Sequence, residues 1–202
     1  MKYIKKVVLL ITVLSVSVIS TACINNIAVQ ELNNKAKDYM ANGEIEKAIC
    51  RLRSSIDLDD SIFETHYNLG VALIQDKEYK EAQASLERAL KITDFADAYY
   101  SLALAYEGEA DSIISGDEDS DETCTSKETD KKVLTDADKT DIVEKYNLAI
   151  ENYNKYLAKK PTAEDKDKVT QQIKYLNEEI EKYNTEHNTS VTEEFSSPSS
   201  EE

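Results

Sequence analysis

The feature that most constrains this chain is an internal self-similarity with a fixed step. Set residues 29–62 above residues 63–96, and equivalent side chains fall into register 34 residues apart. Ala36 meets Gly70, Tyr39 meets Leu73, Gly43 meets Lys77 and Ile45 meets Tyr79. Ala48 then meets Ala82, Leu52 meets Leu86, Ile56 meets Leu90 and Asp60 meets Asp94. A third copy opens one residue early, so that Leu69, Gly70 and Leu73 map to Leu102, Ala103 and Tyr106 at a step of 33. A period in this range signals stacked supersecondary units, none of which buries its apolar face alone. A generic helical bundle needs no fixed step.

The residues at the register positions say what the unit is. The second copy reads His66-Tyr67-Asn68-Leu69-Gly70-Val71-Ala72-Leu73, then Tyr79-Lys80-Glu81-Ala82, then Leu86-Glu87-Arg88-Ala89-Leu90. The third opens Ala98-Tyr99-Tyr100-Ser101-Leu102-Ala103-Leu104-Ala105-Tyr106. Its second half returns much later, as Tyr146-Asn147-Leu148-Ala149 through Tyr153 to Pro161. This pattern resembles the tetratricopeptide repeat. The resemblance implies an all-α fold: a solenoid of helical hairpins, with three repeats at 29–62, 63–95 and 96–161 and a helix at 162–184 that caps the last. Small residues (Ala36, Gly70, Ala103, Ala48, Ala82, Ala149) would let paired axes approach, and large ones (Tyr39, Leu73, Tyr106, Leu52, Leu86, Tyr153) would fill the space beside them. In the cap, Val169, Ile173, Leu176 and Ile180 recur at helical steps along one face.

The third repeat is split. Eight residues should separate Tyr106 from Ala149, and 42 do. The excess equals one repeat, yet residues 115–130 are almost wholly polar and offer no apolar face. The reading is a first helix prolonged to about Ser115, an acidic insertion at about 108–140, and a second helix starting near Asp136 to Asp141. Within the insertion Asp117, Asp119 and Asp121 alternate and Glu128 stands twelfth from Asp117, the ligand spacing of an EF-hand calcium loop. The sixth place is Glu122 where such loops carry Gly, and the eighth is Cys124. Long acidic loops reach this spacing by chance, and a solvated loop is the alternative.

The N-terminus reads as an address. Lys2, Lys5 and Lys6 precede an uncharged run over residues 7–19, too short for the ~20 residues of a spanning helix. Small residues Ser20-Thr21-Ala22 lead to Cys23. That sequence resembles a bacterial lipobox, with Ser20 standing where Leu is usual. It implies removal of residues 1–22, lipidation of Cys23, a tether at 23–28, and placement on the extracytoplasmic face of a membrane. Two other readings stay open: an ordinary cleaved signal with Cys23 a bystander, and an uncleaved anchor. From Cys23 onward the chain holds 21 basic and 40 acidic residues, a net of -19, which opposes binding to nucleic acid or anionic lipid. Residues 185–202 are Ser, Thr, Glu and Asn with few apolar side chains, the composition of a disordered acidic tail.

The resemblance also says where a partner would sit. First helices would line a concave groove through Asn33, Lys37 and Met40, then Tyr67, Val71 and Ile74, then Tyr100, Leu104 and Glu107. The middle helix is apolar all round, so a second protein or peptide should cover its open side, with Tyr67 and Tyr100 as anchors. The bases needed to clamp a terminal carboxylate across the repeats are missing from the third copy. No catalytic grouping is present: His66 lies inside a repeat helix, His187 lies in the tail, and there is no phosphate loop. The expectation is a monomeric, cofactor-free adaptor and not an enzyme. The alternative is a cation-responsive or substrate-capturing lipoprotein that uses the insertion. Spacing does not decide whether Cys50 and Cys124 pair.

Overall fold

The computed structural model describes residues 26–116 and 133–194, with side chains placed to residue 185. Among these residues there are seven α-helices and no strand. Helix α1 covers 26–41. The others are α2 (Ile45–Leu58), α3 (Phe63–Gln75), α4 (Tyr79–Ile92), α5 (Ala96–Ser115), α6 (Asp136–Lys159) and α7 (Lys166–Glu194). The sequence step survives in the backbone: α4 begins 34 residues after α2, and α5 begins 33 after α3.

The turns between paired helices repeat too. Residues 42–44 close α1 and residues 76–78 close α3, with Gly43 at φ 75° and its register mate Lys77 at φ 64°. Both are left-handed, the backbone state that ends a helix and favours glycine. A Cβ on Gly43 would meet nothing within 4 Å, so glycine is there for its backbone alone.

The residues form two compact units. The first comprises the chain up to Asp76 together with Ala84–Asp94. Its core is built from Val29, Ala36, Ala48, Leu52, Leu69, Leu73, Leu86 and Ala89, all buried. The alanines are fully buried, as close helix approach demands. In the α2–α3 loop the Asp60 carbonyl accepts from His66 Nε2 at 2.8 Å, and the Asp60 carboxylate pairs with Arg88 of α4 at 3.2 Å. His66 is therefore a buried structural histidine.

The second unit comprises Lys77–Gln83 and everything from Phe95 onward. Here α5 packs on α6, and α6 on α7. One face of α6 carries Ile142, Tyr146, Ala149, Tyr153 and Tyr156, at steps of four and three, all buried. Asp97 pairs with Lys160, Glu107 with Tyr153, Glu109 with Lys145 and Asp111 with Tyr146, so α5 and α6 run antiparallel along their length. Gly108 on α5 leaves room for the Tyr79 ring, which a Cβ would strike at 2.3 Å.

Two boundaries differ from the sequence reading. Helix α1 starts at residue 26, inside the expected tether, where Gln30 Nε2 bonds to Asn26 Oδ1 across one turn. The helices flanking the insertion end and begin where the sequence reading put them: α5 runs to Ser115, where Gly116 turns left-handed at φ 77°, and α6 begins at Asp136. The cap continues to Glu194, through residues expected to be disordered. No Gly or Pro interrupts 166–194, so no residue there forces a stop. Residues 1–25, which include Cys23, lie outside the described part, as do Asp117, Asp119, Asp121, Cys124 and Glu128.

Candidate partner-binding faces

On α3 the buried side chains are Thr65, His66, Leu69, Gly70, Ala72 and Leu73. Tyr67, Val71 and Ile74 lie between them at helical spacing and stay half-buried. They make a half-buried apolar stripe along α3. Phe63 stacks on Tyr67 with ring centroids 6.0 Å apart, which extends the stripe by one turn. On α1, Lys37 is exposed and Met40 half-buried.

Asn33 is a correction. It was expected on the groove face, and it is only 7% exposed. Its Nδ2 donates to the Val29 carbonyl at 3.0 Å, to Ser55 Oγ at 3.0 Å and to Thr65 Oγ1 at 2.8 Å. The NH2 group of the amide thus ties α1, α2 and α3 together, while its buried Oδ1 has no partner among the described residues. The signal was present: Asn33 continues the stripe of Val29 and Ala36, and not that of Lys37 and Met40.

In the second unit Tyr100 is half-buried in a cluster of three rings. Its centroid lies 5.7 Å from Tyr153 and 5.2 Å from Tyr156. Tyr100, Leu104 and Glu107 do come together on α5. They line a cleft of about 270 Å³ with Tyr153 of α6 and with Asp165, Lys168, Val169 and Gln172. Glu107 Oε2 accepts from the Tyr153 hydroxyl at 2.8 Å, and Oε1 accepts from Gln172. Burial raises the Glu107 carboxyl above its ordinary range, against the opposing pull of those two donors. Burial also pushes the Tyr153 hydroxyl far up, with the Glu107 charge adding to it. Asp165 Oδ1 accepts from the Tyr156 hydroxyl at 2.8 Å, and Tyr156 is pushed up to about 12, chiefly by burial.

The sequence reading gave α7 only a capping role and missed its part in this cleft. Val169 was recognised as a core position, and Gln172, one turn on, shares its face. Among the described residues no group of three or more His, Cys, Asp or Glu side chains is placed to hold a metal ion. Cys50 is exposed on α2.

Residues 63–94 match the family model described as Tetratricopeptide repeat. The fold resembles the first TPR of Spaghetti (RPAP3), solved bound to the HSP90 peptide SRMEEVD, with a TM-score of 0.53 at 14% identity over 74% of this chain and 90% of that one. It is also similar to the first TPR domain of human RPAP3, with a TM-score of 0.55 at 14% identity over 78% and 95%. The Sgt2 TPR domain from Aspergillus fumigatus gives 0.50 at 16% identity over 78% and 82%. The chain matches no curated protein sequence. The architecture is thus the all-α helical-hairpin fold of tetratricopeptide-repeat domains, with residues 63–94 as its clearest repeat.

Proposed function

We propose that this chain is a membrane-tethered adaptor that holds another protein against the outward faces of its first helices. The observation that carries the reading is the stripe of Tyr67, Val71 and Ile74 on α3. The opposite side of that helix is in the core, while Tyr67, Val71 and Ile74 stay half-buried and keep part of their apolar surface accessible. An amphipathic helix or an extended peptide suits such a face. Lys37 and Met40 extend the candidate surface on α1; in the second unit Tyr100 and Leu104 make a candidate face of their own on α5. In one similar fold, the Spaghetti TPR, a peptide is bound, which supports the choice of a peptide-like partner.

The tether rests on the sequence. None of the helices among the described residues is long and apolar enough to cross a membrane. The lipobox-like run that ends at Cys23 supports an anchor in the N-terminal segment, with lipid on Cys23 and the repeats on the extracytoplasmic face. An acidic chain of net charge -16 favours basic or neutral partners over nucleic acid. The function proposed is binding and scaffolding, without catalysis.

The test is photocrosslinking in the native membrane, with a photoreactive residue at position 67 and the captured species identified by mass spectrometry. A discrete partner, lost when Val71→Glu is introduced, is the expected result. Crosslinks confined to the chain's own insertion or tail would show that the face is self-covered and would end the adaptor reading.

A further inference from the structure

The cleft beside Tyr100 is smaller than the ~300 Å³ at which pockets for drug-sized ligands begin, and is sized for one long side chain. Its lining is divided by chemistry. Leu104 and Val169 offer apolar walls, Tyr100 and Tyr153 offer ring surface, and Glu107 and Asp165 offer carboxylates. An ionised carboxylate has about four acceptor positions. Glu107 spends two of them, on Tyr153 and Gln172, and Asp165 Oδ1 takes one bond from Tyr156. Acceptor capacity therefore remains on both groups. Ring and carboxylates line the same cleft, and the Tyr100 hydroxyl is raised chiefly by burial, with the charges of Asp165 and Glu107 adding to it. The cation among the lining residues is Lys168, which is exposed and joins neither carboxylate in an ion pair among the described residues.

We propose that this cleft receives an arginine side chain of the bound partner, with its methylene stem against Leu104 and Val169 and its guanidinium over Tyr100 between Glu107 and Asp165. Arginine fits better than lysine on chemical grounds. Its guanidinium is planar, weakly hydrated, stacks on aromatic rings and offers several donors in a fixed fork to acceptors on two sides. A partner carboxylate is excluded by the same lining, because it would face two like charges. The inference rests on the partner-binding reading above and specifies the partner's chemistry: a basic segment that presents an arginine at the α5–α7 end of the second unit.

The experiment is an NMR titration of the ¹⁵N-labelled full-length chain in detergent micelles, comparing N-acetylarginine amide with N-acetylcitrulline amide. Citrulline keeps the shape and removes the charge. The arginine probe should shift the resonances of Leu104, Val169 and Gln172, and the citrulline probe should not. Glu107→Gln should weaken the arginine response about tenfold. Lys168→Glu, which removes the rim cation, should strengthen it severalfold, so a variant that merely misfolds cannot imitate the full pattern. Equal responses to both probes, no response in the cleft, or a response indifferent to both substitutions would overturn the proposal. Partner capture at position 67 that is sensitive to Val71→Glu but not to Glu107→Gln would overturn the arginine assignment and leave the adaptor reading standing.

Discussion

At the scale of single residues, register mates can be compared as chemical experiments already performed. Gly43 and Lys77 occupy the same left-handed position at the end of a first helix, and only one has the residue that suits it. Lys77→Gly should raise the unfolding free energy by about 1 kcal/mol, since a side chain in this conformation costs roughly 1–2 kcal/mol. Gly43→Ala should lower it by a similar amount, with no steric contribution because the space around its Cβ is open. Chemical denaturation of the two variants checks both signs. Glu107 gives a pH prediction. Its folded-state carboxyl is raised above the ordinary 4.5 by burial, so the native state holds the proton more tightly than the unfolded chain. Stability should then rise as pH falls from neutrality toward 4.5 and decline as pH climbs back through the raised value. Its surroundings are Asp111 on its own helix, Tyr153 from α6, and Asp165, Lys168 and Gln172 from the α7 side. Thermal melts across this window should show a shallower slope in Glu107→Gln than in the parent chain.

Helix positions and pairing were legible because one packing solution recurs at a fixed step. The register reappears in the spacing of helix starts, 34 residues from α2 to α4 and 33 from α3 to α5. The sequence was less informative where an element follows no repeat constraint. The extent of α7 was underestimated because the polar composition at its end carries no stop signal, and composition was weighed over the absence of breakers. Asn33 was misplaced because a polar residue on a first helix was assigned outward, when its stripe with Val29 and Ala36 points in. One start signal went unread. Thr135-x-x-Asp138 forms a capping box at α6, in which Asp138 N–H donates to Thr135 Oγ1 at 3.1 Å and Thr135 N–H donates to Asp138 Oδ2 at 2.8 Å. Thr135→Ala should cost about 1 kcal/mol in denaturant unfolding. An unchanged midpoint would mean that α6 is held entirely by its tyrosine face. The α5–α7 cleft was the least legible feature, because it joins three helices whose contact depends on the angle at which the last one docks.

At the scale of the whole molecule, two independent properties make the proposed adaptor. One is attachment. If Cys23 carries lipid, Cys23→Ala should move the protein from the membrane to the soluble fraction, because the two or more acyl chains that hold a protein stably on a bilayer would be lost. Retention of the variant on the membrane would favour an uncleaved anchor. The other is recognition. A basic segment laid on an acidic chain would be steered by charge and held by apolar contact at the α3 stripe. The salt dependence would then lie mainly in the association rate. These properties separate experimentally, since Cys23 lies far in sequence from the α3 and α5 residues.

The most direct test of the central claim is calorimetric titration of the captured partner, purified, into the parent chain and into Val71→Glu. The account predicts that the substitution weakens affinity at least tenfold while the melting temperature changes little, because Val71 is half-buried and lies outside the buried set of α3. Equal affinities in the two titrations would place recognition elsewhere on the molecule and contradict the account.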